Sequence, residues 1–173
     1  GVEYGGVKYS TGIIKQAALF DGIDDYINIG NLIGLNTLSV SVWFKTNELT
    51  PLGRVVVGDY INCSYREGFT IATRKTGENA VFYTHDLVDG YSECTANSGL
   101  DDGKWYHGVG TITETEVKLY VNGVLIDSQP RYYSESENDI YIGSCKSLCS
   151  LEDNFFSGLI DEVRIYNRPL DET

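Results

Sequence analysis

The chain has 173 residues, a formal net charge of −12 at pH 7 and 42% hydrophobic residues. This length suits one domain with a sizeable core, and the composition excludes a disordered chain. The negative charge argues against nucleic-acid backbones and anionic lipid surfaces as partners, and leaves cations and uncharged ligands open. Acidity that only keeps the domain soluble is the alternative interpretation.

Neither end of the sequence indicates a targeting or membrane segment. The start, GVEYGGVKY, lacks the charged and apolar regions of a signal peptide. The apolar runs are shorter than the ~18 residues that a membrane span needs. We expect residues 1–173 to be a single domain cut from a longer extracellular protein, without membrane insertion.

Alternation of apolar and polar residues predicts short strands along the whole chain. In TLSVSVWFKT (37–46), Leu38, Val40, Val42 and Phe44 share one face. Further strands are predicted, in chain order, at FDGIDDYINIG (20–30), RVVVGDY (54–60), EGFTIATR (67–74), AVFYTH (80–85), KWYHGVGTIT (104–113), VKLYVNGVLIDS (117–128), DIYIGS (139–144) and SGLIDEVRIY (157–166).

Turn residues punctuate these strands. Asn122-Gly123 between two alternating runs is typical of a type I′ hairpin turn, and KTGEN (75–79) predicts a second turn. HDLVDGY (85–91) is interpreted as a loop. No long stretch has an apolar stripe with helical spacing. About ten to thirteen short strands predict an all-β sandwich or jelly roll with little or no helix.

Two predicted strands place a carboxylate among apolar residues. Asp25 alternates in phase with Ile27 and Ile29, and Asp161 in phase with Val163 and Ile165. An unpartnered buried carboxylate is costly, so each needs a compensating group. A calcium ion is one solution, because calcium binds six to eight oxygens. Hydrogen bonds from backbone amides, or contacts with Lys15 or Arg164, are the other.

The four cysteines indicate an oxidising compartment. Cys63 and Cys94 flank the hairpin predicted around residues 67–85, whereas Cys145 and Cys149 share one polar loop. We therefore predict disulfides between residues 63 and 94 and between residues 145 and 149. Zinc binding and free buried thiols are the alternatives.

Aromatic and polar residues concentrate in the middle of the chain. Aromatic faces stack on sugar rings and carboxylates accept bonds from sugar hydroxyls, so this mixture suits a glycan. Packing of the tyrosines into the sandwich is the alternative. The candidate ligand-binding residues are Asp59, Tyr60, Tyr83, His85, Asp86, Asp89 and Tyr91.

Several motifs together resemble one known superfamily. In chain order they are KQAALFDGIDDYINIG, LSVSVWFKT, KWYHGVGTIT…VKLYVNGVLIDS, IYIGS and FFSGLIDEVRIYNRPL. They resemble the concanavalin A-like lectin/glucanase group, in its laminin G-like and pentraxin-like branch, over residues 12–46 and 104–170. Residues 47–103 do not match. The resemblance implies a two-sheet antiparallel jelly roll in an extracellular protein, often with calcium and a glycan or protein partner.

The resemblance also implies two calcium sites. A structural site between the early acidic turn and the late strand would use Asp161, Asp21 and the Gly22 carbonyl, with Asp25 as a further ligand. A second, pentraxin-like site would use a late loop and one acid from a neighbouring strand. Its implied ligands are Glu152, Asp153, Asn154 and Glu67.

Glycanases of this fold carry an E-x-D-x-x-E motif that places two catalytic carboxylates on one face. SESEND (134–139) is followed by Ile140 where the motif needs glutamate, and no other stretch fits. The chain is therefore predicted not to be an enzyme. Two functions remain: a calcium-associated lectin-like or adhesion module, and a structural or protein-interaction domain with no small ligand.

Overall fold

The computed structural model describes residues 1–32, 34–47, 53–59, 67–74, 80–88, 90–97, 100, 102–144 and 155–171. These residues form strands, turns and extended segments, and no helix occurs among them. None of them therefore lies in a helix long and apolar enough to cross a bilayer. The prediction of an all-β fold is confirmed.

The described residues contain fourteen strands. In chain order they are β1 (Val2–Tyr4), β2 (Lys8–Thr11), β3 (Gln16–Asp21), β4 (Tyr26–Gly30), β5 (Leu38–Lys45), β6 (Arg54–Gly58), β7 (Gly68–Thr73), β8 (Ala80–His85), β9 (Tyr91–Ala96), β10 (Tyr106–Ile112), β11 (Glu116–Val121), β12 (Val124–Pro130), β13 (Ile140–Ile142) and β14 (Ser157–Tyr166).

The strands form two seven-stranded antiparallel sheets. Sheet A has the order β1-β4-β13-β6-β7-β8-β9, and sheet B has the order β12-β11-β10-β5-β14-β3-β2. The edge strands β9 and β12 meet at one side of the sandwich, where the Thr95 amide donates to the Asp127 carboxylate. At the other side, Tyr9 of β2 donates to Glu3 of β1. The prediction of a two-sheet antiparallel sandwich is confirmed.

The core lies between the sheets and follows the predicted alternation. On β5, Leu38, Val40, Val42 and Phe44 are all fully buried. Each such side chain contributes about 1.5–3 kcal/mol of transfer free energy. Phenylalanines from both sheets fill the same layer: Phe20, Phe44, Phe69, Phe82 and Phe156.

The Asn122-Gly123 turn forms as predicted. The φ angles of Asn122 and Gly123 are 51° and 79°, in the left-handed region that a type I′ turn requires. The Asn122 side-chain oxygen also accepts a bond from the His107 amide at 2.9 Å. The turn therefore fixes β12 at the edge of sheet B, where it can meet β9.

The early and late strands of the chain pair as expected, because β14 lies beside β3 with Ser157 opposite Asp21. However, a bulge interrupts β14, with Glu162 at a φ of 49°. Asp161 lies opposite Trp43 and Ile165 opposite Val40, so the bulge reverses the alternation between them. The prediction that Asp161 shares the inner face with Val163 and Ile165 is wrong.

Strand β9 was not predicted from the sequence. Tyr91, expected in a loop, is its first residue and pairs with His85. Cys94 lies in the middle of β9 opposite Phe82, is fully buried and has a free thiol that donates to the Val117 carbonyl at 3.3 Å. The predicted Cys63–Cys94 disulfide is therefore not formed, because Cys94 faces the core instead of the open end of a hairpin. Cys63, Cys145 and Cys149 lie outside the described residues.

Candidate functional site

Three carboxylates converge in the turn between β3 and β4. Ligand oxygens of Asp21, Asp24 and Asp25 lie within 4.8 Å of one another. Asp25 is buried, and its Oδ2 accepts a bond from the Asp21 amide at 3.0 Å. Burial, and then the charges of Asp21 and Asp24, raise the pKa of Asp25 above its ordinary value. This set of hard oxygen donors fits calcium, and it includes Asp24, which the sequence analysis did not name.

The other two predicted ligands of the structural calcium do not join these three carboxylates. The Gly22 carbonyl lies in the turn but accepts a bond from the Arg54 guanidinium at 3.3 Å, so a cationic side chain already engages it. Asp161 lies four residues beyond the Ser157–Asp21 pair along β14, roughly 13 Å away at the usual strand rise. The predicted site that combines Asp21, Gly22 and Asp161 is wrong.

Asp161 instead holds the loop between β2 and β3. Its Oδ2 accepts bonds from the amides of Ile13 at 2.8 Å and Ile14 at 3.1 Å, and its Oδ1 accepts one from Glu162 at 2.9 Å. Of the two explanations for a buried carboxylate here, the structure supports backbone hydrogen bonds. These bonds compensate for the burial of the Asp161 carboxylate, which is 8% exposed.

One residue of the second predicted calcium site is described. Glu67 is half-buried and directly precedes β7. Glu152, Asp153 and Asn154 lie outside the described residues, so this site stays a prediction.

Asp59, predicted to bind ligand, is buried directly after β6 and beside the first residues of β7. Its Oδ1 accepts a bond from the Phe69 amide at 2.7 Å. Burial raises the pKa of Asp59 to about 7, opposed by the Phe69 bond and aided by the Glu67 charge. Gly68 has a φ of 97°, and a Cβ there would overlap the Asp59 carboxylate. Asp59 is therefore a structural group under the surface, and Tyr60 lies outside the described residues.

Three of the predicted ligand-binding residues form an aromatic row on the outer face of sheet A. The rings of Tyr83 and His85 are 6.5 Å apart and nearly parallel, and those of His85 and Tyr91 are 5.8 Å apart. The alternation of β8 turns Phe82 into the core and Tyr83 and His85 outward. The row runs along β8 from Tyr83 to His85 and then crosses to edge strand β9 at Tyr91, which is 56% exposed.

Asp86 shapes the turn after this row. Its Oδ1 accepts bonds from the amides of Val88 at 2.9 Å and Gly90 at 2.8 Å. The Asp86 side chain therefore fixes the backbone that leads into β9. Asp89 lies outside the described residues.

A groove of 430 Å³ lies beside Tyr91, where the edge strands of the two sheets meet. It combines two exposed tyrosines, which are 56% and 45% exposed for Tyr91 and Tyr132, with carboxylate, amide and hydroxyl side chains. This is the chemistry of a site for a polar ligand with flat apolar faces. Its lining residues are Tyr91, Ser92, Glu93, Thr95, Asp127, Gln129, Pro130 and Tyr132.

The walls of the groove are held in place by hydrogen bonds. The Ser92 hydroxyl accepts a bond from the Tyr132 amide at 2.9 Å and donates to the Pro130 carbonyl. Thr84 donates to the Tyr132 carbonyl at 2.7 Å. The Tyr132 ring packs over Gly90, where a Cβ would overlap it. Tyr132 is therefore presented in a fixed position next to Tyr91.

Sequence reasoning missed Glu93, Asp127, Gln129 and Tyr132. The Asn122-Gly123 hairpin predicts that β12 pairs with β11, but no local pattern predicts that the free edge of β12 meets β9. The pair Tyr132-Tyr133, shortly after the alternating run that ends at Ser128, was the one available sign. Tyr133 faces the core and Tyr132 the groove.

A serine and a histidine are also in contact on the outer face of sheet B. Ser41 Oγ lies 2.8 Å from His107 Nε2, and the His107 ring stacks on Trp43 at 4.9 Å. Burial, and then the charge of Arg164, lower the pKa of His107. Ser41 is only 8% exposed, so a substrate has little access to its hydroxyl. We interpret the contact with His107 as structural.

Two antiparallel sheets packed face to face define a β-sandwich domain of the jelly-roll type. The sequence profile described as the Concanavalin A-like lectin/glucanases superfamily matches residues 20–173, and the chain belongs to this family. The family resemblance found in the sequence is confirmed. No curated protein matches the chain.

Solved structures share the fold. One is domain 4 of AbnA, a GH43 extracellular arabinanase from Geobacillus stearothermophilus, in complex with arabinotriose. It is 23% identical to this chain with a TM-score of 0.74, and the match covers 97% of this chain and 78% of that chain. The binding domain of Paraclostridial Mosquitocidal Protein 1 is 18% identical with a TM-score of 0.78. That match covers 99% of this chain and 44% of that chain. The CBM40 of the Ruminococcus gnavus IT-sialidase is 12% identical with a TM-score of 0.65, over 80% of each chain.

Proposed function

We propose that the chain is a non-catalytic glycan-binding module of an extracellular protein, and that the groove between β9 and β12 holds the glycan. The observation that carries the proposal is the pair of exposed tyrosines, Tyr91 and Tyr132, beside fixed polar side chains in one groove. Aromatic faces cover the apolar faces of sugar rings, and the polar groups bind the hydroxyls.

The similar structures support the proposal. One of them, domain 4 of AbnA, was solved with arabinotriose, a neutral oligosaccharide, and another is named as a binding domain. The described part of the groove contains two carboxylates, but Glu93 is paired with Arg74 at 2.6 Å and Asp127 accepts backbone amides. This arrangement suits hydrogen bonding to a ligand better than the proton transfer of glycoside hydrolysis.

We also propose a structural calcium ion at the turn between β3 and β4, held by Asp21, Asp24 and Asp25. The ion would neutralise three carboxylates, one of them buried, and thereby stabilise the turn. This turn lies at the side of the sandwich where β1 and β2 are the edge strands, opposite the groove. The calcium is therefore proposed to act on stability and to have no direct contact with the glycan.

A glycan array that includes arabinotriose, followed by titration of the tightest ligand, tests the proposed function. Tyr91→Ala and Tyr132→Ala should each weaken binding about tenfold, because each removes one aromatic face. Tyr9→Ala is the matched control, since Tyr9 is 50% exposed on β2 at the opposite edge. If no glycan binds the wild-type protein, the alternative of a structural or protein-interaction domain is favoured.

A further inference from the structure

The groove between β9 and β12 presents a surplus of hydrogen-bond acceptors. The Gln129 Nε2 donates to both oxygens of Asp127, at 3.2 Å and 3.4 Å. Because a carboxylate only accepts, the amide nitrogen must face Asp127, and the amide oxygen must lie on the other side. Glu93 adds a second carboxylate to the same wall. A ligand rich in hydroxyl donors therefore suits this wall.

The same groove carries negative charge. Its eight described lining residues include two acids and no lysine or arginine. Arg74 neutralises Glu93 from outside the groove, at 2.6 Å. Asp127 contacts uncharged donors, the amides of Thr95 at 3.1 Å and Ser128 at 2.8 Å. Among the described lining residues, Asp127 therefore gives the groove its net charge.

We infer that this groove selects uncharged, hydroxyl-rich glycan segments and disfavours glycans that place a carboxylate or sulfate in it. The inference rests on the proposed function and names Asp127 as the residue that determines specificity. Sugar hydroxyls satisfy the acceptors of Gln129 and Glu93, whereas an anionic group would lose water of hydration and face Asp127 without a counter-charge.

The repulsion between Asp127 and an anionic glycan group is large enough to measure. Two like charges about 4 Å apart in a water-exposed groove repel each other enough to weaken binding roughly five- to tenfold. Added salt screens an exposed pair of charges. The preference for the neutral glycan should therefore shrink as ionic strength rises, whereas binding of the neutral glycan should stay nearly constant.

The test uses an array of matched glycans, each core present as the neutral form, the sialylated form and the sulfated form. Titrations of the best matched pair are then compared at about 0.05 M and 0.5 M NaCl. We expect the neutral form to bind at least fivefold more tightly at low salt, and the difference to fall at high salt. Equal or tighter binding of the sialylated form overturns the inference but leaves the proposed function intact. Absence of binding to every glycan overturns both.

Two substitutions test whether this groove causes the discrimination between neutral and anionic glycans. Asp127→Asn should remove most of the discrimination, and Gln129→Lys should reverse it by placing a cation in the groove. Gln129→Lys does not depend on the backbone bonds of Asp127, so it remains informative if Asp127→Asn folds poorly. Glu3→Gln is the charge-matched control, because Glu3 is exposed on β1 at the far edge of sheet A. Discrimination that neither groove variant changes overturns the inference.

Discussion

The Asp161 carboxylate lies 2.8 Å from the amide nitrogen of Ile13, although 148 residues separate the two in the chain. The contact joins the last strand of the sandwich to the hairpin loop between β2 and β3. It also explains how a strand can carry a buried carboxylate, since three backbone amides donate to it.

Asp161→Asn should lower the free energy of unfolding by about 1–3 kcal/mol, because an amide cannot accept all three of these bonds. Urea denaturation at neutral pH measures the change. Glu162→Gln, at the neighbouring residue, is the control and should have little effect, since Glu162 forms an ion pair with Arg164, whose side chain is exposed. A variant as stable as the wild type would show that these bonds do not support the fold.

Local patterns predicted the fold well and the site poorly. Alternation identified β5, β8, β10 and the Asn122-Gly123 turn, because each depends on neighbouring residues. The bulge at Glu162 reversed the face of Asp161, and a bulge leaves no trace in a period-two pattern. The groove arises where the free edges of β9 and β12 meet, and such a contact depends on the packing of whole sheets. Sequence reasoning therefore found Tyr91 but not Asp127 or Tyr132.

The buried Asp59 should make stability depend on pH. Its pKa rises to about 7 in the folded state from an ordinary value near 3.8, so the folded protein binds more protons between these values. Stability should therefore fall as pH rises from about 4 to 7, by up to about 4 kcal/mol from this residue. Thermal melts across that range measure the trend.

Asp59→Asn isolates this contribution. Asparagine keeps an acceptor for the Phe69 amide and carries no charge, so the variant should gain stability at pH 7 relative to the wild type. Its stability should also vary less between pH 4 and 7. Asp86→Asn is the control, since Asp86 also accepts backbone amides but lies in a surface turn. If both variants show the wild-type pH profile, Asp59 is ionised at little cost in the folded protein.

Cys94 should be a free thiol that reacts only on unfolding. It is fully buried, and burial raises its pKa to about 12, so thiolate is scarce at neutral pH. Alkylation without reductant should leave Cys94 unmodified in the native protein and modify it completely in denaturant. Peptide mass mapping reads both results. A linked peptide that contains residues 63 and 94 would contradict the structure.

Calcium should stabilise the protein through the turn between β3 and β4. At 100 times its dissociation constant, a bound ion adds ~2.7 kcal/mol, which raises the Tm of a domain of this size by roughly 5–10 °C. Asp25→Asn should abolish this response without destabilising the calcium-free protein, because burial and two neighbouring carboxylates already disfavour the charged form of Asp25. Asp161→Asn is the matched control: it should lower the Tm yet keep the full calcium response, since Asp161 lies far along β14. Loss of the response in Asp161→Asn but not in Asp25→Asn would place the ion elsewhere, and no response in the wild type would refute the site.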